Sequence, residues 1–177
     1  MKIQKIGDGV NVDPLLWALR EHPEFWNQHP DRTANPDSPH HGVDDIWARY
    51  AAPEVEDKQQ PHESVWYPCA EVLPVRDIAM RLMAYVGGER LGGILITRIP
   101  PGGEVKPHAD PGWHARHYEK FAVQIASAPG QKFCFEGEQL ESRPGDIYWF
   151  DNSETHWVTN PTQYERITAI FCIKRGG

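Results

Sequence analysis

From Gly92 to the C-terminus the chain is a series of short apolar runs cut by proline–glycine turns, and this punctuation leaves few folds open. The runs are Gly93–Ile99, Phe121–Ala126, Lys132–Phe135, Asp146–Phe150 and Arg166–Ile173. Between them stand Pro100-Pro101-Gly102-Gly103, Pro129-Gly130 and Pro144-Gly145. Apolar runs this short, bounded by such breakers, read as strands, because a helix needs a longer uninterrupted period. Several short strands in succession close most readily as a sandwich or barrel.

The first 90 residues read differently. Asp13-Pro14 looks like an N-cap followed by proline at the first helical position. The segment after it places Leu15, Leu16, Leu19 and Trp26 near one helical face. A polar, proline-rich stretch follows from Asn27 to Pro39. A second short helix is expected over Asp44 to Tyr50, and an exposed loop over the charged segment Ala52 to Pro61. The spacing of Ile78, Leu82 and Tyr85 predicts a helix from Val75 to Val86, stopped by Gly87-Gly88. The expected fold is therefore α+β and mainly β, a single domain over residues 1–177. Residues 1–90 would be helix and loop support, and residues 91–175 the barrel. No internal repeat or low-complexity tract interrupts it.

Composition narrows the function. Seven Trp, six Tyr and six Phe suit a packed core and not a disordered chain. A net charge of −7 argues against a general nucleic-acid binder, which needs a basic surface. No apolar run is long enough for a transmembrane helix, and MKIQKIGDGV has no apolar signal-peptide core. Three widely spaced cysteines (Cys69, Cys134 and Cys172) suit reduced thiols in a cytoplasmic protein. None has the paired spacing of a structural zinc site.

His108 and Asp110 stand two apart on an expected extended segment, so their side chains point the same way. His156, just before the apparent strand Trp157–Thr159, can supply a third donor. Two histidines and a carboxylate on one face of an ion leave its other face open, the facial triad of non-haem iron(II) oxygenases. A lone His-x-Asp is a weak signal in a chain with nine histidines, and most such pairs are surface or hydrogen-bonded core pairs. Arg166 adds weight. On a strand, Arg166, Thr168, Ile170 and Cys172 share one face, and Ile167, Ala169, Phe171 and Ile173 the other. Both faces are otherwise apolar, so the guanidinium points into a barrel and needs a carboxylate to offset its desolvation. A dicarboxylate cosubstrate could supply one bidentately, as could an internal Asp or Glu.

The segments "LITRIPPGGEVKPHADPGWH", "GDIYWFDNSETHWVTN" and "YERITAIF" resemble the aspartyl/asparaginyl β-hydroxylase family of iron(II)/2-oxoglutarate-dependent oxygenases. The resemblance covers roughly Trp66 to Lys174, and "RTANPDSPHHGVDDIWARY" is similar to bacterial and phage-type members. It implies a double-stranded β-helix, a jelly-roll or cupin-like barrel with flanking N-terminal helices. It implies iron held by His108 and His156, 2-oxoglutarate as cosubstrate and dioxygen as oxidant. Arg166 would bind the distal carboxylate of 2-oxoglutarate, with Thr97 at the position of a helping hydroxyl and Thr168 beside it. Animal aspartyl hydroxylases lack the ligating carboxylate; this chain keeps Asp110, as the bacterial proline hydroxylases do. The family's second basic pair is not reproduced, and Lys120, Gln124 or the loop Trp113–His117 stand in its place.

The expected activity is hydroxylation of an amino-acid side chain, Asp/Asn type, in a protein or peptide. A free amino-acid hydroxylase is the alternative within the class. A cupin-like isomerase or ligand-binding barrel is the alternative outside it. Trp113, His114, Arg116 and His117 are candidate substrate contacts on a lid over the mouth. Arg32, Ser38, His40, His41 and Arg49 form a second polar cluster that could meet a carboxylate-bearing substrate. Asp151 and Asn152 could orient the ligands from behind, while Trp149 and Phe150 read as core.

Overall fold

The structure, a computed structural model, describes residues 1–176. Two antiparallel sheets face each other. The larger contains β1 (Ile3–Gly7), β2 (Asp44–Ala51), β3 (Ser64–Trp66), β4 (Gly88–Ile99), β6 (Glu119–Ala126), β9 (Ile147–Phe150) and β11 (Arg166–Arg175). The smaller contains β5 (Glu104–His108), β7 (Lys132–Phe135), β8 (Glu138–Leu140) and β10 (His156–Thr159). Their orders are β1-β9-β6-β11-β4-β2-β3 and β5-β10-β7-β8. From β4 onward the chain alternates between the sheets, apart from the β7–β8 hairpin, which makes the barrel a jelly roll of the double-stranded β-helix type.

The helices α1 (Asp13–Glu21) and α2 (Val75–Val86) pack on the outer face of the large sheet. That explains why β11 is apolar on both sides. Ile167, Ala169, Phe171 and Ile173 meet Leu15, Leu19, Ile78 and Leu82 under the helices. Ile170 faces the other way, into an inner cluster of Ile99, Val105, Phe133, Tyr148, Phe150 and Val158 between the sheets. Each fully buried Leu or Ile of this kind stabilises the fold by about 1.5–3 kcal/mol. Gly87 closes α2 in the left-handed region (φ 68°), its N–H donating to the Met83 carbonyl.

Several expectations need correction. Asp44–Ala51 is a strand, not a helix, and it pairs with β4 from Asp44↔Arg98 to Arg49↔Ile94. With β1 and β3 it adds three strands to the large sheet from the N-terminal half. Asp13 is the first helical residue and makes no side-chain cap; Val12 precedes it. The helix ends at Glu21, so Trp26 lies beyond it and packs under the Arg98 guanidinium, 4.3 Å from its ring centre. Tyr85 is 58% exposed, because its hydroxyl reaches outward to donate to the Ile6 carbonyl at 2.6 Å. The segment Gly112–His117 is a short helix, α3. Among the described residues no helix is long and apolar enough to cross a membrane.

Candidate metal centre

β5 ends at His108 and β10 begins at His156, and the two residues are direct partners across the small sheet. Their ring centres lie 4.4 Å apart. Each Nδ1 sits 2.8 Å from a carbonyl two residues earlier, Lys106 for His108 and Glu154 for His156. A carbonyl only accepts, so both Nδ1 atoms carry the proton and both Nε2 atoms keep a free lone pair. Asp110 follows on an extended turn whose N–H donates to the Asn152 carbonyl at 2.9 Å. Its Oδ1 lies 3.5 Å from His108 Nε2. One donor atom from each of the three residues fits within 4.8 Å of the others. Two neutral imidazole nitrogens and one carboxylate suit iron(II) in a half-open site.

Electrostatics keep these donors in ligand form. Burial raises the Asp110 carboxyl, but the neighbouring His108 ring and the charge of Lys120 outweigh it and hold it well below the usual carboxylate range. Burial lowers His156 below its ordinary imidazole value. Lys120 Nζ stands 3.8 Å from Asp110 Oδ2. Burial opposes its charge, yet Cys172 and Asp110 hold the ammonium above its ordinary value.

Arg166 lies inside the barrel, 3% exposed. Its Nη1 donates to Thr168 Oγ1 at 2.7 Å and its Nη2 to the Tyr148 hydroxyl at 3.2 Å. Among the described residues no carboxylate lies within salt-bridge distance of it. A buried guanidinium served only by two hydroxyls is a receptor for an anion. Thr168 in turn donates to Gln124 Oε1 at 3.3 Å.

The other expected residues divide. Gln124, Thr168, Thr97 and Asp45 stand in one row across β6, β11, β4 and β2. Gln124 spends its amide on the protein: Nε2 donates to the Ala126 and Ile167 carbonyls, and Oε1 accepts from Ser142 and Thr168. It braces Thr168 and offers no free donor to a ligand. Thr97, the register partner of Thr168, donates to Asp45 Oδ1 at 2.9 Å and accepts from Arg32 Nη2 at 3.0 Å. Arg32 also grips Asp45 through Nε at 2.5 Å. This triad pins the segment 27–43 against the barrel and carries His40 onto His108, ring centres 4.5 Å apart. Burial, then the Arg32 charge, lowers His40 to about 2, so it is uncharged.

The rest of that cluster stays outside. Arg49 lies over the Trp66 ring, and Ser38 Oγ accepts from the His40 N–H. His41 is exposed, its Nδ1 on the Thr33 carbonyl. In α3, Trp113 donates to the Lys58 carbonyl and packs on His62. His114 is buried, with Nε2 accepting from the Gly93 N–H. Arg116 is exposed, and His117 stands near Lys174 and Arg90. The helix is thus docked on Lys58, His62 and Gly93. Asn152 supports the site through its carbonyl, and its Nδ2 donates to the Ala115 carbonyl; the Asp151 side chain caps Ser153. Tyr148 and Asp45 are the site residues that sequence reasoning missed. Alternation along Ile147–Phe150 puts Tyr148 on the same face as Phe150, which was the available signal for it.

Residues 34–175 match the family described as Aspartyl/Asparaginyl beta-hydroxylase. The chain belongs to that family. Membership makes this β-hydroxylase family protein a 2-oxoglutarate-dependent oxygenase, with iron(II), 2-oxoglutarate and dioxygen as its working set. It replaces the alternative of a cupin-like isomerase or simple ligand-binding barrel. No curated protein matches the chain. The fold is shared with an oxidoreductase of the 2OG-Fe(II) oxygenase family from Burkholderia pseudomallei (13% identity, 77% of this chain and 70% of that one, TM-score 0.57). It is shared with a Pseudomonas putida prolyl-4-hydroxylase (15% identity, 99% and 94%, TM-score 0.56). A viral collagen prolyl hydroxylase from Paramecium Bursaria Chlorella virus-1 is similar again (12% identity, 99% and 97%, TM-score 0.56).

Proposed function

We propose that this family member hydroxylates an amino-acid side chain of Asp/Asn type within a protein or peptide. In this reading His108, Asp110 and His156 hold the metal. The observation that carries it is Arg166, a buried guanidinium with no carboxylate partner among the described residues, in the same barrel interior as the three donors. Iron(II) with 2-oxoglutarate and dioxygen supplies the oxidising power to place a hydroxyl on a C–H, with succinate and carbon dioxide as coproducts.

The chain's own residues do the positioning. His108 and His156 offer Nε2 because Lys106 and Glu154 hold their Nδ1 protons. Lys120 keeps Asp110 ionised and in place. Arg166, with Tyr148 and Thr168, takes the far carboxylate of 2-oxoglutarate. The segment 27–43, pinned by Arg32, Asp45 and Thr97, walls the mouth beside His108 and excludes water there. Uncharged His40 on that wall can donate or accept one hydrogen bond to a substrate amide or carboxylate.

A second reading is a free amino-acid hydroxylase of proline type. The retained carboxylate Asp110 favours testing it, and the likeness to two prolyl hydroxylases along nearly the whole chain makes proline, free or in a peptide, the residue to include. Succinate release is measured with iron(II), ascorbate and 2-oxoglutarate over a panel of Asp-, Asn- and Pro-containing peptides and free amino acids. Stimulation by Asp or Asn peptides, with one oxygen added at the β-carbon, is the expected result. Turnover confined to free amino acids would replace this reading by the second, and no succinate under any condition would reject both.

A further inference from the structure

The strand pair that carries Arg166 holds another buried contact, and the oxygenase chemistry makes no use of its sulfur. Lys120 on β6 and Cys172 on β11 are direct partners in the register. Lys120 Nζ lies 3.1 Å from Cys172 Sγ. Both are enclosed: the cysteine is 5% exposed and the lysine side chain 14%.

A buried ammonium ordinarily rests on carboxylates or carbonyls, because its desolvation demands strong acceptors. Here the thiol is its one hydrogen-bond partner among the described residues, and Asp110 stands farther off, at 3.8 Å. Cys172 also has no disulfide partner, since Cys69 and Cys134 are free and separately buried. Oxidised thiols condense with the nearest thiol or nitrogen. At Cys172 that neighbour is nitrogen. The third element is the oxidant. Dioxygen is a substrate of the family's reaction, and Lys120 adjoins Asp110, where the proposed function puts that reaction.

We propose that Lys120 and Cys172 are a modification site, joined by dioxygen into a nitrogen–oxygen–sulfur cross-link. The Lys120 ammonium first gives one proton to water to become an amine. That amine, the thiol and one dioxygen then give the N–O–S bridge and one water. One N–H bond, the S–H bond and the O–O bond break, and one N–O bond, one O–S bond and the two O–H bonds of water form. Nitrogen and sulfur each give up two electrons, and those four reduce the two oxygen atoms, one to the bridge and one to water. Inserting a single oxygen needs only a small approach of two atoms already 3.1 Å apart. A direct N–S bond would need a larger one.

The bridge changes the metal centre's surroundings. The bridge draws the Lys120 nitrogen toward Cys172 and away from Asp110. Asp110 then loses the close neighbour that steadies it, and the cross-link ties β6 to β11 covalently.

The test is intact mass and peptide mapping of the iron-loaded full chain, kept anaerobic or exposed to air, with succinate formation measured on the same samples. Expected in air is a gain of one oxygen with loss of two hydrogens, on linked peptides containing Lys120 and Cys172. Dithiothreitol should reverse it, and Cys172→Ser should never show it. Three results would overturn the proposal: an unchanged mass in air, addition of oxygen alone at Cys172, or the same mass change in Cys172→Ser. Because the mass is read independently of succinate, a failed cross-link and a failed oxygenase reading give different results.

Discussion

Arg166 and Tyr148 meet inside the barrel, the guanidinium Nη2 donating to the phenol oxygen over 3.2 Å. Tyr148 is fully buried, so this hydroxyl cannot be replaced by water without rearrangement. The pair forms a polar floor beneath a site whose metal donors come from the opposite sheet. An anion entering between them would complete the guanidinium's bonding.

Removing the guanidinium tests that role. A charge-assisted hydrogen-bonded contact contributes about 1.5–3 kcal/mol, or roughly 10- to 100-fold in affinity. Arg166→Met is expected to raise the 2-oxoglutarate KM by about that factor while manganese(II) binding is kept. An unchanged KM in succinate assays would remove Arg166 from the site.

Tyr148→Phe deletes one partner and leaves the ring. The loss is about 1 kcal/mol, so a several-fold rise in the same KM is expected with little change in metal affinity. Loss of metal binding and not cosubstrate binding would mean that Tyr148 serves the triad.

The three donors should couple metal binding to stability. A ligand that binds only the folded chain raises Tm with its concentration. Manganese(II) is expected to raise the Tm of the natural chain and not of His108→Ala, measured by thermal unfolding. An equal rise in both would place the bound metal elsewhere.

Asp45 is buried with the Arg32 charge beside it. Taking away one partner of such a pair strands the other, at about 3 kcal/mol. Asp45→Ala is expected to lower stability by that order and to expose the segment 27–43 to protease. Denaturant unfolding and limited proteolysis measure the two effects, and a neutral outcome in both would mean that the segment is held by other contacts.

Burial, then the Lys120 charge, lowers His114 from 6.5 to about 3. The unfolded chain therefore binds a proton that the folded chain refuses. Stability from this residue is whole above pH 6.5 and declines as pH falls from there toward about 3. The decline is at most about 1.4 kcal/mol per pH unit. His114→Gln is expected to flatten the stability profile between pH 6.5 and 5, measured by urea unfolding. An identical slope in both proteins would show that His114 does not set it.

Much of the barrel was legible because its strands are bounded by turn residues. Lys132–Phe135 and the helix Val75–Val86 fall where their patterns place them. Strand β2 was not legible, since its sequence DDIWARYA carries buried polar Asp45 and alternates poorly. Its identity depends on pairing with β4, a long-range contact. The same holds for the site. The spacing of His108 and Asp110 is local and visible, whereas the Arg32–Asp45–Thr97 cluster joins three distant segments. The partners of Thr97 were hidden for that reason: a hydroxyl facing the interior has several groups within reach, and only the fold brings Asp45 and Arg32 to it.

The most direct measurement is a crystal structure with manganese(II) and N-oxalylglycine, an inert mimic of 2-oxoglutarate. The expected result is one ion on Nε2 of His108 and His156 and on the Asp110 carboxylate, with the mimic's far carboxylate on Arg166. An ion bound by other residues, or a mimic that leaves Arg166 untouched, would contradict the account.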